Sequence, residues 1–280
     1  MEQRPDYTID QPIASYTAAD HATWRTLFEH QASLLPGRAC DEFLRGLKGL
    51  GVAADGIPDF NRLSDILGKA TGWAIVAVPG LVPDDVFFGH LANRRFPVTW
   101  WIRKPEQMDY LQEPDVFHDI YGHVPLLMNP VFADYMQAYG QGGVKAQRLG
   151  EITHLARLYW YTVEFGLIRD ASAAGGLRIY GSGILSSKSE SIYCLDSRGP
   201  NRIGFDLLRV MRTKYRIDTF QKTYFVIDSF EDLFAATRPD FRPFYERLHG
   251  VQDLGAGEVA DGDRVLTRGT GEGWGHSEDV

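Results

Sequence analysis

Apolar residues recur at helical spacing through the first quarter of the chain. Trp24, Leu27, Phe28 and Leu35 form one stripe behind Thr17 and Asp20, a capping-box-like start, and the stripe ends before Pro36-Gly37. Phe43, Leu44 and Leu47 mark a second helix over 41–50, closed by Gly51, and Leu63, Ile66 and Leu67 a third over 59–70, before Gly72. Residues 73–78 and 96–101 are short apolar runs that predict strands, with a Pro83-initiated helix carrying Val86, Phe87 and Leu91 between them. Further helices are predicted over 115–127, 131–139 and 152–168, the last apolar nearly all round and therefore buried. Beyond it come short strands at 177–180, 193–195 and 224–227, a helix over 202–211, and a final helix over 230–248 broken or kinked at Pro239 and Pro243. The pattern reads as mainly α (α+β): one compact helix-rich domain over 16–249 with a few short β-strands, an N-terminal extension over 1–15, and a tail over 250–280.

Charge changes the picture most in that tail. It holds eight glycines and seven acids against Arg264 and Arg268, a net -5 within a whole-chain charge of -8, and this predicts a solvated, loosely packed segment. Elsewhere 29 Lys+Arg face 37 Asp+Glu without a basic cluster, which argues against nucleic acid as a partner. Residues 1–10 carry Glu2, Arg4, Asp6 and Asp10 and no apolar stretch, unlike a secretory leader, and the apolar run 74–82 is broken by Pro79 and Gly80, far short of a membrane span. Cys40 and Cys194 stand alone, with no CxxC pattern. A cytoplasmic protein off the membrane, its thiols reduced, is the expectation.

The candidate chemistry lies in two segments. In EPDVFHDIYGHVP, residues 113–125, His118 and His123 are five positions apart. An ideal α-helix turns such a pair about 140° from each other, so one shared face requires a break, for which Gly122 and Pro125 are suited. Each histidine alone reads as readily as a hydrogen-bonded core residue. Glu164 sits among residues that want burial, and a buried carboxylate is costly unless paired or metal-bound. Arg157, two helical turns back, offers a structural ion pair; the alternative is a metal site in which two imidazoles and one carboxylate leave a face open, the set used by non-haem Fe(II) oxygenases. A zinc-hydrolase reading fits less well, since Asp119 follows the first histidine and the HExxH spacing is absent. Ser186 and Ser187 lack a nucleophile elbow and read as a turn lining a pocket.

Together EPDVFHDIYGHVP, LYWYTVEFGL (158–167) and YGSGILSSKSE (180–190) resemble the pterin-dependent aromatic amino acid hydroxylases. The likeness runs in order from about Asp59 to Ser229, and the segment 16–47 is similar to the short bacterial branch that acts on phenylalanine. What the resemblance implies is a monooxygenase that converts L-phenylalanine to L-tyrosine with Fe(II), a tetrahydropterin (tetrahydrobiopterin or a bacterial relative) and O2, through an Fe(IV)=O oxidant. Tyrosine or tryptophan hydroxylation by the same machinery is the alternative; a zinc hydrolase or an amino-acid-binding protein is the reading outside the class.

The resemblance implies His118, His123 and Glu164 as iron ligands. It puts Phe87 against the pterin, with Gly80, Leu81 and Val82 as the backbone strip along the pterin ring, Asp119 at its edge and Tyr159 near iron and pterin. Arg103 matches the arginine for the substrate carboxylate; Trp160 and His118 would flank the substrate ring, Pro114 would close its pocket, and Ser186 and Glu190 would support the contacts. No catalytic group beyond the metal ligands is implied. Leu111 and Gln112 depart from the Thr and Pro of longer relatives, and with neither a regulatory domain nor a coiled-coil helix recognised, a monomer is expected.

Overall fold

A computed structural model describes residues 2–108 and 113–273 of the chain. Its helices begin where capping chemistry places them. Thr17 and Asp20 exchange side-chain and backbone bonds at the head of Ala18–Leu34, and Gly51 and Gly72 close Asp41–Leu50 and Phe60–Thr71 in left-handed conformation. Strand β1 (Ala74–Val78) passes through the helix Asp84–Ala92 to a parallel β2 (Arg95–Thr99), a small βαβ unit. The following helix, Pro130–Leu149, extends ten residues beyond the expected 139 and is closed by Gly150.

The second half corrects several sequence expectations. The helix expected over 152–168 ends as α-helix at Tyr159, and residues Leu167–Arg169 form β3 instead. Residues 193–195, expected as a strand, lie in the helix Lys188–Asp196. The helix expected over 202–211 is divided: Asn201–Gly204 is β5 and only Leu207–Met211 is helical, started by the Asp206 cap. With β4 (Leu177–Ile179), β6 (Thr223–Ile227) and β7 (Val265–Thr267) these strands make a mixed sheet in the order β4-β3-β6-β5-β7. Every residue of the central β6 is buried, as expected of a strand covered on both faces. The final helix is broken as expected, into Phe230–Thr237 and Arg242–Leu248, with Pro243 in the first turn of the second piece.

The segment after Gly250 is not loosely packed through residue 273. Asp253 accepts both arms of the buried Arg157 at 2.8 and 2.7 Å, Asp263 binds the buried Arg209 at 2.8 Å, Leu254 is buried, and β7 pairs antiparallel with β5. Its acids neutralise arginines that a polar composition does not reveal. Truncation after His249 would leave two buried guanidiniums without carboxylates, each a cost of about 3–5 kcal/mol. Urea unfolding is expected to show a loss of at least that size; a truncated chain as stable as the full one would return the segment to a loose tail.

Candidate active site

Both segments that carry the expected metal ligands leave α-helical geometry. His118–His123 is a π-helical stretch. Its i→i+5 bonding makes five residues about one turn, so the spacing that would part the imidazoles on an α-helix stacks them on one face. Their Nε2 atoms lie 3.1 Å apart. Trp160–Glu164 is a second π turn, closed by the Phe165 amide donating to the Trp160 carbonyl at 2.8 Å. It brings Glu164 Oε1 to 3.0 Å from His123 Nε2 and Oε2 to 3.7 Å from His118 Nε2. Among the described residues this is the one cluster of three such donors within 4.8 Å of one another.

One short helix, Ser182–Leu185, braces both segments. It approaches this closely because Gly122 and Gly181 lack side chains: a Cβ on Gly122 would meet the Ser182 carbonyl oxygen at 2.8 Å, and one on Gly181 the Glu164 carbonyl oxygen at 2.5 Å. Ser182 Oγ lies 3.1 Å from Glu164 Oε2 and 2.9 Å from the Val163 carbonyl, its one proton shared between them. Ser186 Oγ donates to the Ser182 carbonyl at 2.8 Å, which can only accept; it therefore accepts the proton of His118 Nδ1 at 2.9 Å. That bond fixes the His118 tautomer and turns the Nε2 lone pair into the cluster.

The electrostatics suit a cation. Burial, before any other cause, lowers His118 to about 4, so its imidazole is neutral at pH 7. Burial also pushes the Glu164 carboxyl up, but His123, His118 and the Ser182 hydroxyl outweigh it and hold Glu164 at about 2. An anionic carboxylate with two imidazole nitrogens on one face is a donor set that fits Fe(II). Arg157 does not compete for Glu164, being bound by Asp253.

The cluster opens into a cavity of about 1030 Å³. Of the residues expected at the site, Leu81, Arg103, Pro114, His118, Trp160, Glu164, Ser186 and Glu190 line it. Arg103 is 7% exposed, and Asp115 takes its Nε at 2.8 Å and Nη2 at 2.9 Å, leaving the Nη1 edge for a ligand. Burial pushes Asp115 up, yet the Arg103 guanidinium and the amides of His118 and Arg103 hold it below the usual carboxylate range.

Of the residues expected on the pterin side, Leu81 is in this lining, whereas Gly80, Val82, Phe87, Asp119 and Tyr159 are not. Gly80 and Val82 flank Leu81 on the loop after β1, and the Phe87 ring meets Tyr159 edge-on at 5.8 Å. Tyr159 in turn lies nearly parallel to His123 at 6.2 Å. Asp119 Oδ2 accepts from the Thr99 amide at 2.7 Å, and burial pushes that carboxyl up to about 7. Leu111 and Gln112 lie outside the described residues.

Asp115 and Ser182 were not singled out by sequence. The position of Asp115 three residues before His118, whose amide it caps at 3.0 Å, was a visible capping signal, but its pairing with Arg103 was not. Ser182 precedes Ser186 by one helical turn, a spacing that acquires meaning only with Glu164 bonded to the first serine and His118 to the second.

Comparison with known proteins agrees with this geometry. Residues 3–250 match the family model of the biopterin-dependent aromatic amino acid hydroxylases. The chain is 70% identical over 277 residues to a phenylalanine-4-hydroxylase of Ralstonia nicotianae, covering 99% of this chain and 88% of that protein, and 68% identical over 275 residues to one from Chromobacterium violaceum, covering 98% and 92%. The iron- and phenylalanine-bound crystal structure of the Chromobacterium violaceum enzyme superposes with a TM-score of 0.90 at 66% identity, over 95% of both chains. The Fe(III)-bound structure of that enzyme does so with a TM-score of 0.92 at 68% identity, over 95% of this chain and 96% of that one. With its ligand cluster, its helix-rich fold and its sequence in agreement, the chain belongs to the biopterin-dependent aromatic amino acid hydroxylases.

Proposed function

We infer that this chain is a phenylalanine 4-hydroxylase, using Fe(II), a tetrahydropterin and O2 to convert L-phenylalanine to L-tyrosine. The observation that supports it most is one cavity that joins a two-imidazole, one-carboxylate cluster to an arginine fork with a free edge and to an indole wall. His118, His123 and Glu164 hold the iron, which when bound supplies the one-electron chemistry that triplet O2 requires, with the tetrahydropterin as reductant.

The chain's own residues bind, orient and dry the reactants. Arg103 takes the amino acid's carboxylate through Nη1, a planar contact made rigid by Asp115. Trp160, Pro114 and the His118 ring border the slot for the substrate's ring, and Leu81, Met108 and Phe220 give the cavity an apolar lining that excludes water. Ser186 keeps the His118 proton on Nδ1, away from the metal, and Ser182 steadies Glu164. Glu190 supports the slot from behind, through Gln221 and Tyr224. Gly80, Leu81, Val82, Phe87 and Tyr159 form the pterin side, with Asp119 bracing it through Thr99. In this reading residues 16–249 make up the catalytic domain, with the described parts of the N-terminal extension and the tail, residues 2–15 and 250–273, packed onto it. No helix among the described residues is long and apolar enough to cross a membrane, Cys40 and Cys194 are buried and free, and we place the enzyme in the cytoplasm as a monomer.

Metal-stripped protein is given Fe(II), Zn(II) or no metal, with L-phenylalanine, tetrahydropterin and O2. Tyrosine is expected with Fe(II) alone. Pterin oxidation without tyrosine would point to another aromatic substrate, and no pterin oxidation with any metal would overturn the hydroxylase reading.

A further inference from the structure

We propose that Gln221 is a positioning residue, fixing the rotation of the Trp160 indole and thereby tying pterin oxidation to hydroxylation of the substrate ring; the proposal rests on the function inferred above. Trp160 stacks on Tyr215 with centroids 4.4 Å apart and planes at 23°, and leans on Phe165 at 4.8 Å and 35°. Stacking holds the plane of the indole, and a half-turn about its Cβ–Cγ bond, a torsion with a broad, roughly two-fold preference, keeps that plane while carrying Nε1 and the six-membered ring to the other side. The choice is made by a hydrogen bond. Indole Nε1–H donates to Gln221 Oε1 at 2.9 Å.

The amide cannot be turned round. Gln221 Nε2 donates to the Arg216 carbonyl at 2.8 Å, and a carbonyl has no proton to give, just as the indole nitrogen has no lone pair to offer. The backbone of Gln221 is held too: its amide donates to Glu190 Oε1 at 3.3 Å, an oxygen that also accepts from the Tyr224 hydroxyl. Gln221 is 2% exposed with the indole in place, so releasing the indole takes away the partner of a buried carbonyl oxygen.

Trp160, Glu190 and Gln221 all line the cavity, and Trp160 opens the π turn that ends in Glu164. The wall of the substrate slot and one metal ligand therefore ride on the same turn. An indole released from Gln221 widens the slot, the amino acid's ring settles away from the reacting position, and tetrahydropterin and O2 are consumed without a tyrosine being made.

A double-mutant cycle on the iron-loaded enzyme tests this. The readouts are tyrosine formed per tetrahydropterin oxidised, KM for phenylalanine, and Fe(II) affinity. Gln221→Met is expected to lower the coupling ratio and raise KM by about 2–10-fold each, the range of one buried hydrogen bond, with Fe(II) affinity retained. Trp160→Phe should do the same, and the double variant should be no worse than the worse single one. Full coupling with unchanged KM in Gln221→Met, effects that multiply in the double variant, or a parallel loss of Fe(II) affinity would each overturn the proposal. If Gln221→Met does not fold, Gln221→Asn, which draws the amide back by one methylene, is read in the same way. Absence of tyrosine from the unaltered enzyme would instead overturn the hydroxylase reading itself, before any variant is made.

Discussion

Glu164→Gln is expected to abolish tyrosine formation while leaving the chain folded. The substitution keeps the shape of the side chain and its contact with Ser182, but removes the only negative charge in the ligand cluster. The loss should exceed the roughly 10–100-fold that an outer hydrogen-bond partner of a ligand contributes, which sets a scale within the same protein: the losses in Ser182→Ala and Ser186→Ala should fall in that range and the loss in Glu164→Gln well beyond it. Turnover with Fe(II), Fe(II) titration and circular dichroism on the three variants test the ranking. Turnover of Glu164→Gln equal to or above that of the serine variants would remove Glu164 from the metal site.

Arg103→Ala is expected to damage two things at once. The charge-assisted contact of Nη1 to the substrate carboxylate disappears, worth about 10–150-fold in KM for phenylalanine. Asp115, fully buried, is left without its guanidinium, at about 3–5 kcal/mol of stability. That loss corresponds to about 6–20 °C in Tm for a chain of this size. The pairing separates the effects. Arg103→Met combined with Asp115→Asn removes both charges and keeps an oxygen to cap the His118 amide, so stability should largely return while the raised KM remains. Recovery of phenylalanine binding in that double variant would tell against Arg103 as the carboxylate's partner.

The site was more readable in the sequence than the sheet. Helix caps such as Thr17 with Asp20 are local chemistry and act within one turn. The five-residue interval between His118 and His123 signalled a departure from α-helix, and the departure is a π turn rather than a break at Gly122. Strands β3, β5 and β7 are three or four residues long, too short for alternation to register. Arg202 in β5 looks like a surface residue, yet it is buried because its guanidinium bonds the carbonyls of Cys194 and Ser197. The same holds for the acids after Gly250: Asp253 finds Arg157 across 96 residues, and no local pattern carries a contact of that span. The pairing of Asp115 with Arg103 and of Ser182 with Glu164 has no local pattern for a related reason, since each joins residues 12 or more positions apart.

The position of β7 bears on how the protein is made. This strand covers the outer edge of β5, in a sheet whose other strands are complete by Ile227. During synthesis the chain therefore holds a nearly finished sheet with an open row of β5 amides and carbonyls until Thr267 has emerged and paired. An open edge of this kind is a template for pairing between chains. The interval between the appearance of residues 227 and 267 is thus a window of aggregation risk during synthesis, closed by the acidic segment whose composition predicted a solvated, loosely packed tail.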